Sequence, residues 1–305
     1  MKYTDNSLNI LTALQVKGIG KGWINQFMNR KYDLEDLISA IRKKDDGYTL
    51  EFFLHEKAKI EKYLEEYEYA DGVIAVGDTL FPELPHDVKG GDCPVVLFYK
   101  GDISLLTQAT NIAVIGVLNP TENIERRERA FVKALVEKKC CIVSGLAKGC
   151  DGIAHKQALE SNGQTIAILP NSLKDITPSE HKSLAEDIVI KGGLLITEYY
   201  KEITSKKELV DHYIKRDRLQ AMFSKAVCLA ASYAPNKEGN DSGSRHAMGK
   251  AKDYCIPRYV MYNEKEDSNN PMFDLNRDLL RESDVKIITQ RTIDEMSKGI
   301  KTTLF

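Results

Sequence analysis

The sequence predicts a doubly wound α/β protein, a mostly parallel sheet covered on both faces by helices and preceded by a small helical domain. Three observations predict it. From residue 71 onward, short apolar runs bounded by Gly, Asp and Pro recur, and strands apolar on both faces belong to parallel sheets buried between helices. Helical stretches separate most of those runs, which is the βαβ alternation of a doubly wound sheet. The first ~66 residues instead place leucine and isoleucine at helical spacing.

In order, Leu8, Leu11 and Leu14 mark a first helix, and Leu34, Leu37, Ile38 and Ile41 a second. Residues 55–70 are rich in helix formers with charges of both signs. Between the first two helices lies Val16-Lys17-Gly18-Ile19-Gly20-Lys21-Gly22. Its glycines permit a tight turn, and the next helix would offer free N–H groups to an anion. The pattern fits the hairpin of a helix-hairpin-helix unit gripping a phosphate. It fits equally a plain helix connection or a protein-docking surface. Strands are expected at 73–76, 95–99, 111–115, 141–143, 165–169, 193–197, 226–230 and 256–261, with a last one within 284–290. Helices fit 124–138, 152–161, 181–190 and 244–252, and the charged stretch 264–270 reads as an exposed loop. The expected division is a helical domain over 1–66 and an α/β domain over 67–305. The residues after 290 leave little room for a further domain.

The chain has 305 residues and a formal net charge of −2. Nucleic-acid contact would therefore need a local basic patch rather than a global field. The opening MKYTDNSLNI is not expected to be a signal peptide, and no apolar run reaches the roughly 18–20 residues of a membrane helix. Six cysteines without a C-x-x-C pair read as reduced, mostly buried thiols of a cytoplasmic protein, with no spacing for a zinc site. Adjacent Cys140 and Cys141 should point to opposite faces of their strand.

Ligands of doubly wound sheets sit beyond the carboxyl ends of the strands, so the loops there carry the chemistry. The loop of residues 115–121 turns at Gly116 and holds no charge; it is a turn or a ligand wall. The stretch SGLAKGCDGIAH offers close backbone approach at Gly145 and Gly149, the Ser144 hydroxyl and the Lys148 charge. Asp151 is placed to cap the following helix, with His155 one turn on, bonded to a neighbouring loop or catalytic. The loop lacks both the G-x-G-x-x-G fingerprint and the G-K-[ST] ending of a P-loop. Lys182 follows Pro178-Ser179-Glu180-His181, projecting towards the same sheet edge or simply solvated. Arg216-Asp217-Arg218 cluster before the 226–230 strand, as phosphate ligands or as an internal Arg–Asp pair. Ser242-Gly243-Ser244-Arg245 opens a helix with hydroxyls and amides together, an anion-receiving arrangement.

In this order the motifs resemble the DNA-processing protein A (DprA/Smf) family. The matching stretches are 144–159, 163–169, 178–184, 193–198, 216–218 and 242–244, with an entry segment at Phe81-Pro82-Glu83-Leu84, 94–99 and Gly101-Asp102. The resemblance covers about residues 71–262. It implies an extended Rossmann-like fold that binds single-stranded DNA without a cofactor, protects incoming strands and helps load the RecA recombinase in DNA uptake and recombination. It also implies a homodimer. The N-terminal helices are similar to the small helix-hairpin-helix or SAM-like domain of some members. The sequence departs from the family at four places. Leu118 stands for the arginine of VGSR, Asp217 for the asparagine of RNR, Leu229-Ala230-Ala231 for VEA, and Pro257-Arg258 for Pro-Gly. A winged-helix domain is not expected at the C-terminus. One lost arginine contact is worth about 1–3 kcal/mol.

Two functions follow. In the first, the chain is a non-enzymatic single-stranded DNA binder. The glycine-loop amides, Lys148, Lys182, Arg216, Arg218 and Arg245 track phosphates, and Tyr199, Tyr200 or Tyr213 stack bases. In the second, the altered loops make it a nucleotide-binding sensor or a phosphoribohydrolase-like enzyme. Such an enzyme would use Asp151 or Glu198 as its carboxylate.

Overall fold

The computed structural model describes residues 2–28, 32–236 and 243–298. Four helices come first: α1 (Asp5–Ala13), α2 (Lys21–Phe27), α3 (Leu34–Arg42) and α4 (Leu50–Glu66). Their starts follow from local chemistry: Thr4 and Asp33 each form a reciprocal capping box, and Thr49 accepts from the Phe52 amide. Then follow β1 (Gly72–Ala75), β2 (Val96–Gly101), α5 (Leu105–Gln108), β3 (Thr110–Ile115), α6 (Glu122–Glu137), β4 (Cys140–Ser144) and α7 (Cys150–Glu160). Next are β5 (Thr165–Ile168), α8 (Lys182–Ile190), β6 (Leu194–Thr197), α9 (Lys206–Met222), β7 (Ala226–Leu229) and α10 (Ser244–Asp253). The described part ends with β8 (Arg258–Val260), α11 (Glu264–Asp267), α12 (Asp274–Leu279), β9 (Val285–Ile287) and α13 (Gln290–Ser297).

The nine strands form one sheet in the order β1-β2-β6-β5-β4-β3-β7-β8-β9. Only the β1–β2 and β2–β6 pairings are antiparallel; all others are parallel. Strand order reverses between β3 and β7, so the loops leaving them diverge and open a crevice at the carboxyl edge. Burial follows from strand alternation. Val96 and Phe98 join a core shared with the N-terminal helices and α8, while Leu97 and Tyr99 join the core under α9 and α10. Cys140 and Cys141 likewise enter different cores, as their adjacency requires. The helical segment shares its core with the sheet: Leu8, Leu11 and Leu64 pack in the same cluster as Phe98 and Leu195. Lys2 also bonds to the β1 edge, its N–H donating to Asp71 O at 2.8 Å.

One expectation changes, and the cysteines are mostly buried as expected. Residues 264–270 are not simply an exposed loop. They include α11, whose Asp267 is buried and held by Arg127 through two 2.9 Å hydrogen bonds, the bidentate geometry that satisfies a buried carboxylate. Of the cysteines, four are buried, but Cys93 is half-buried and Cys255 exposed. Among the described residues, no helix is long and apolar enough to cross a membrane.

Candidate nucleic-acid interface

A cavity of about 390 Å³ opens at the switch point. Gly116 and Leu118 come from the loop after β3, Ala147, Lys148 and Asp151 from the loop after β4 and the start of α7. Tyr213, Arg216, Asp217 and Gln220 come from α9, and Gly243 and Ser244 from the opening of α10. The α9 residues follow helical spacing, so one face of that helix forms a wall.

The loop after β4 owes its shape to glycine. At Gly149, φ is +67° and a Cβ would meet the carbonyls of Val117 and Leu118 at 2.3 and 2.4 Å. At Gly145, a Cβ would lie 1.1 Å from Arg216 Nη1. The guanidinium therefore packs flat on bare backbone. Between them Leu146 adopts φ +59°, a strained conformation for a branched side chain. It is held because His181 Nδ1 donates to its carbonyl at 2.8 Å. Asp151 is not the cap of α7; the N-cap is Gly149, with no side-chain bond. The Asp151 carboxylate instead turns back and accepts from the Gly145 and Ala147 amides at 3.1 and 3.4 Å.

Arg216 lies between two carboxylates, its Nη1 3.7 Å from Asp151 Oδ2 and its Nε 3.4 Å from Asp217 Oδ1. All three side chains are at least nine-tenths buried. The Gln220 amide, oriented to satisfy both of its ends, accepts from Arg216 Nη1 at 2.9 Å and from the Gly145 amide at 3.0 Å. Burial pushes the Asp151 carboxyl up, opposed by Arg216. Burial also drives Asp217 up to about 7, with Arg216 opposing and Asp151 adding.

The cavity gathers six of the expected contacts: Gly116, Lys148, Asp151, Arg216, Gly243 and Ser244. Gly145 and Gly149 support it from behind. Others lie elsewhere. The Ser144 hydroxyl is buried and donates to Val114 O at 2.7 Å, which removes it from any ligand. His155 is buried beneath the sheet edge. Thr165 Oγ1 donates to Ile142 O and so accepts from His155 Nδ1 at 2.7 Å. Burial drives the imidazole down to about 3, leaving it neutral.

Lys182 is exposed at the start of α8 and does not line the cavity. Lys148 does, but its ammonium pairs with Glu180 at 2.7 Å. Arg218 does not continue the phosphate path from Arg216. Two helical residues diverge by about 200°, so Arg218 faces away and binds Asp92 O and the Glu198 carboxylate, each at 2.7 Å. Arg245 is half-buried in the first turn of α10, and Ser242 lies outside the described residues.

Of the aromatic residues, Tyr199 stacks on His212 and Tyr200 on Phe98, leaving Tyr213 as the one on the cavity. The glycine hairpin of the helical segment touches the α/β part, where Lys21 reaches Glu198. Gln220 escaped the sequence reading; its spacing from Tyr213 and Arg216 on α9 was the available signal.

Known proteins resemble this chain in sequence and in fold. The chain is 32% identical to protein Smf of Escherichia coli over 225 residues, covering 72% of this chain and 58% of that one. It is 34% identical to DNA processing protein DprA of Bacillus subtilis over 136 residues, covering 45% and 44%. The chain thus spans about half the length of these curated relatives. Its fold matches DNA processing protein A of Streptococcus pneumoniae with a TM-score of 0.72 at 23% identity, over 96% of this chain and 97% of that one. It also matches the Helicobacter pylori protein, described for its single-stranded DNA binding mode. There the TM-score is 0.60 at 27% identity, covering 74% and 96%. The model of the family described as DNA recombination-mediator protein A matches residues 72–290, and this chain belongs to that family.

Proposed function

We propose that this chain binds single-stranded DNA at the switch-point cavity and performs no chemistry on it. The observation that carries the reading is the convergence there of Arg216, Lys148, Tyr213, Gly243 and Ser244. A guanidinium binds a phosphate through two parallel bonds, and an ammonium adds a second positive charge beside it. Tyr213 gives a base a flat surface at the same wall. Both carboxylates an enzyme would need are committed, Asp151 to loop amides and Glu198 to Lys21 and Arg218. That favours binding over glycosidic cleavage.

The biological setting we propose is DNA uptake and recombination in the cytoplasm, with a homodimer handing single strands to a RecA-type recombinase. The family membership supports it. The helical residues before about 67 serve as a docked module of the α/β domain. Fluorescence anisotropy of a labelled oligothymidylate tests the binding reading. Affinity is expected to fall steeply with salt, with a slope of about −0.7 per phosphate neutralised, and Lys148→Ala to lower both affinity and slope. Salt-independent binding, or none, refutes it.

One observation favours a second occupant. The cavity is lined mainly by apolar surface, with Leu118 at its mouth, and so suits a single nucleotide as well as a strand. Thermal stabilisation by mononucleotides, with no affinity for oligonucleotides, would select that reading.

A further inference from the structure

Asp217 stands between Arg216 and the opening of α10. On one side is Arg216, whose Nε lies 3.4 Å from Asp217 Oδ1 without a hydrogen bond. On the other is the opening of α10, where Asp217 Oδ2 comes within 3.0 Å of the Cβ position of Gly243. A phosphate that reaches Arg216 from the cavity meets the Asp217 carboxyl beside it. With both carboxylates ionised, the buried set of Asp151, Arg216 and Asp217 carries one net negative charge, which repels the ligand.

We propose that Asp217 makes phosphate binding at this cavity proton-linked: the strand binds when the Asp217 carboxyl is protonated and is released when that proton leaves. The proposal rests on the single-strand reading above. Protonation cancels the net charge, frees Arg216 to turn towards the ligand and converts Asp217 from a repelling acceptor into a donor.

Two carboxyls compete for the proton, and the geometry selects Asp217. Asp151 accepts two backbone amides, bonds that require its lone pairs and favour its anion. Asp217 has only the misaligned contact with Arg216 among the described hydrogen bonds and ion pairs. Its titration near neutrality, at about 7, places the change within the working range. Among the described residues, the charged groups acting on it are Arg216 on its own helix and Asp151 on α7, with Lys148 in the loop after β4 on the same cavity and Arg245 and His246 in the first turn of α10. Lys148 is compensated by Glu180. His246 carries an imidazole in the first turn of α10, and the test separates its contribution.

Oligothymidylate affinity is measured by anisotropy at pH 6 and pH 8 at constant ionic strength, for the native chain, Asp217→Asn and His246→Gln. If only the protonated form binds, the native chain is expected to weaken roughly tenfold at pH 8, as the competent fraction falls. The isosteric Asp217→Asn is expected to bind at both pH values within twofold of the native chain at pH 6. His246→Gln is expected to keep the native slope. Thermal melting of Asp217→Asn at pH 8, at or above the native midpoint, confirms that the variant is folded. A flat native profile, a native slope in Asp217→Asn, or a slope lost in His246→Gln overturns the proton link while leaving the strand reading standing. No binding by any of the three at either pH overturns the strand reading and the link together.

Discussion

Lys21 Nζ and Glu198 Oε1 lie 2.5 Å apart, tying the glycine hairpin before α2 to the residue after β6. Arg218 reaches the same carboxylate from α9 at 2.7 Å. One buried anion thus holds two cations from distant parts of the chain, and the helical segment is docked through it.

Glu198→Ala is therefore expected to be much more damaging than Lys21→Ala. Removing the carboxylate leaves Arg218 buried and unpaired, at a cost of about 3–5 kcal/mol. Lys21, a third exposed, can turn to solvent, and its loss should cost about 1 kcal/mol or less. Urea denaturation of both variants measures the difference; equal losses would refute the docking role.

Leu118 is half exposed at the cavity mouth, so a longer side chain fits there without repacking. Leu118→Arg is expected to raise oligonucleotide affinity and steepen the salt dependence by about 0.7 in slope for one added phosphate contact. The melting temperature should stay unchanged. An unaltered salt slope would place the strand away from this mouth.

Gly145→Ala puts a methyl group where Arg216 Nη1 lies. Either the guanidinium or the loop must move, and overpacking of this kind costs about 1–3 kcal/mol. Oligonucleotide affinity should fall with it, whereas Gly249→Ala, with open space around its Cβ position, should leave binding unaffected. Equal effects on affinity would show that Arg216 is not held by the Gly145 backbone.

Glu128 is completely buried in α6, and neither of its carboxyl oxygens has a hydrogen-bond partner. Burial holds its carboxyl well above the ordinary value of 4.5. The unfolded chain therefore gives up this proton first, and native stability falls as pH rises above about 4.5 until the buried group itself ionises. Glu128→Gln is expected to remove that slope, and Glu128→Met to stabilise the protein at pH 8 by about 1–3 kcal/mol. Denaturation at pH 5 and pH 8 checks both; an unchanged slope in Glu128→Gln would refute the assignment.

The sequence by itself determined the strands, their parallel character and the loops that meet at the sheet's carboxyl edge. These depend on local patterns, such as the apolar run of 141–143 followed by glycines, which a single chain displays openly. It also determined the opposite facing of Cys140 and Cys141, because strand geometry alternates with period two. What only the tertiary structure decided was the destination of the charges. Arg216 and Arg218 read as one basic cluster along the chain, yet the helix turn sends one to the cavity and the other to Glu198. The glycine hairpin fits a phosphate grip through backbone amides, a plain connection or a docking surface, and only the fold shows that its Lys21 side chain pairs with a carboxylate 177 residues away. His155 and Ser144 read as site groups, yet each is used to satisfy a neighbouring strand. The physical reason is the same in each case. A buried charge or polar group must find a partner, and that partner is set by which elements the fold brings together, not by its neighbours in sequence.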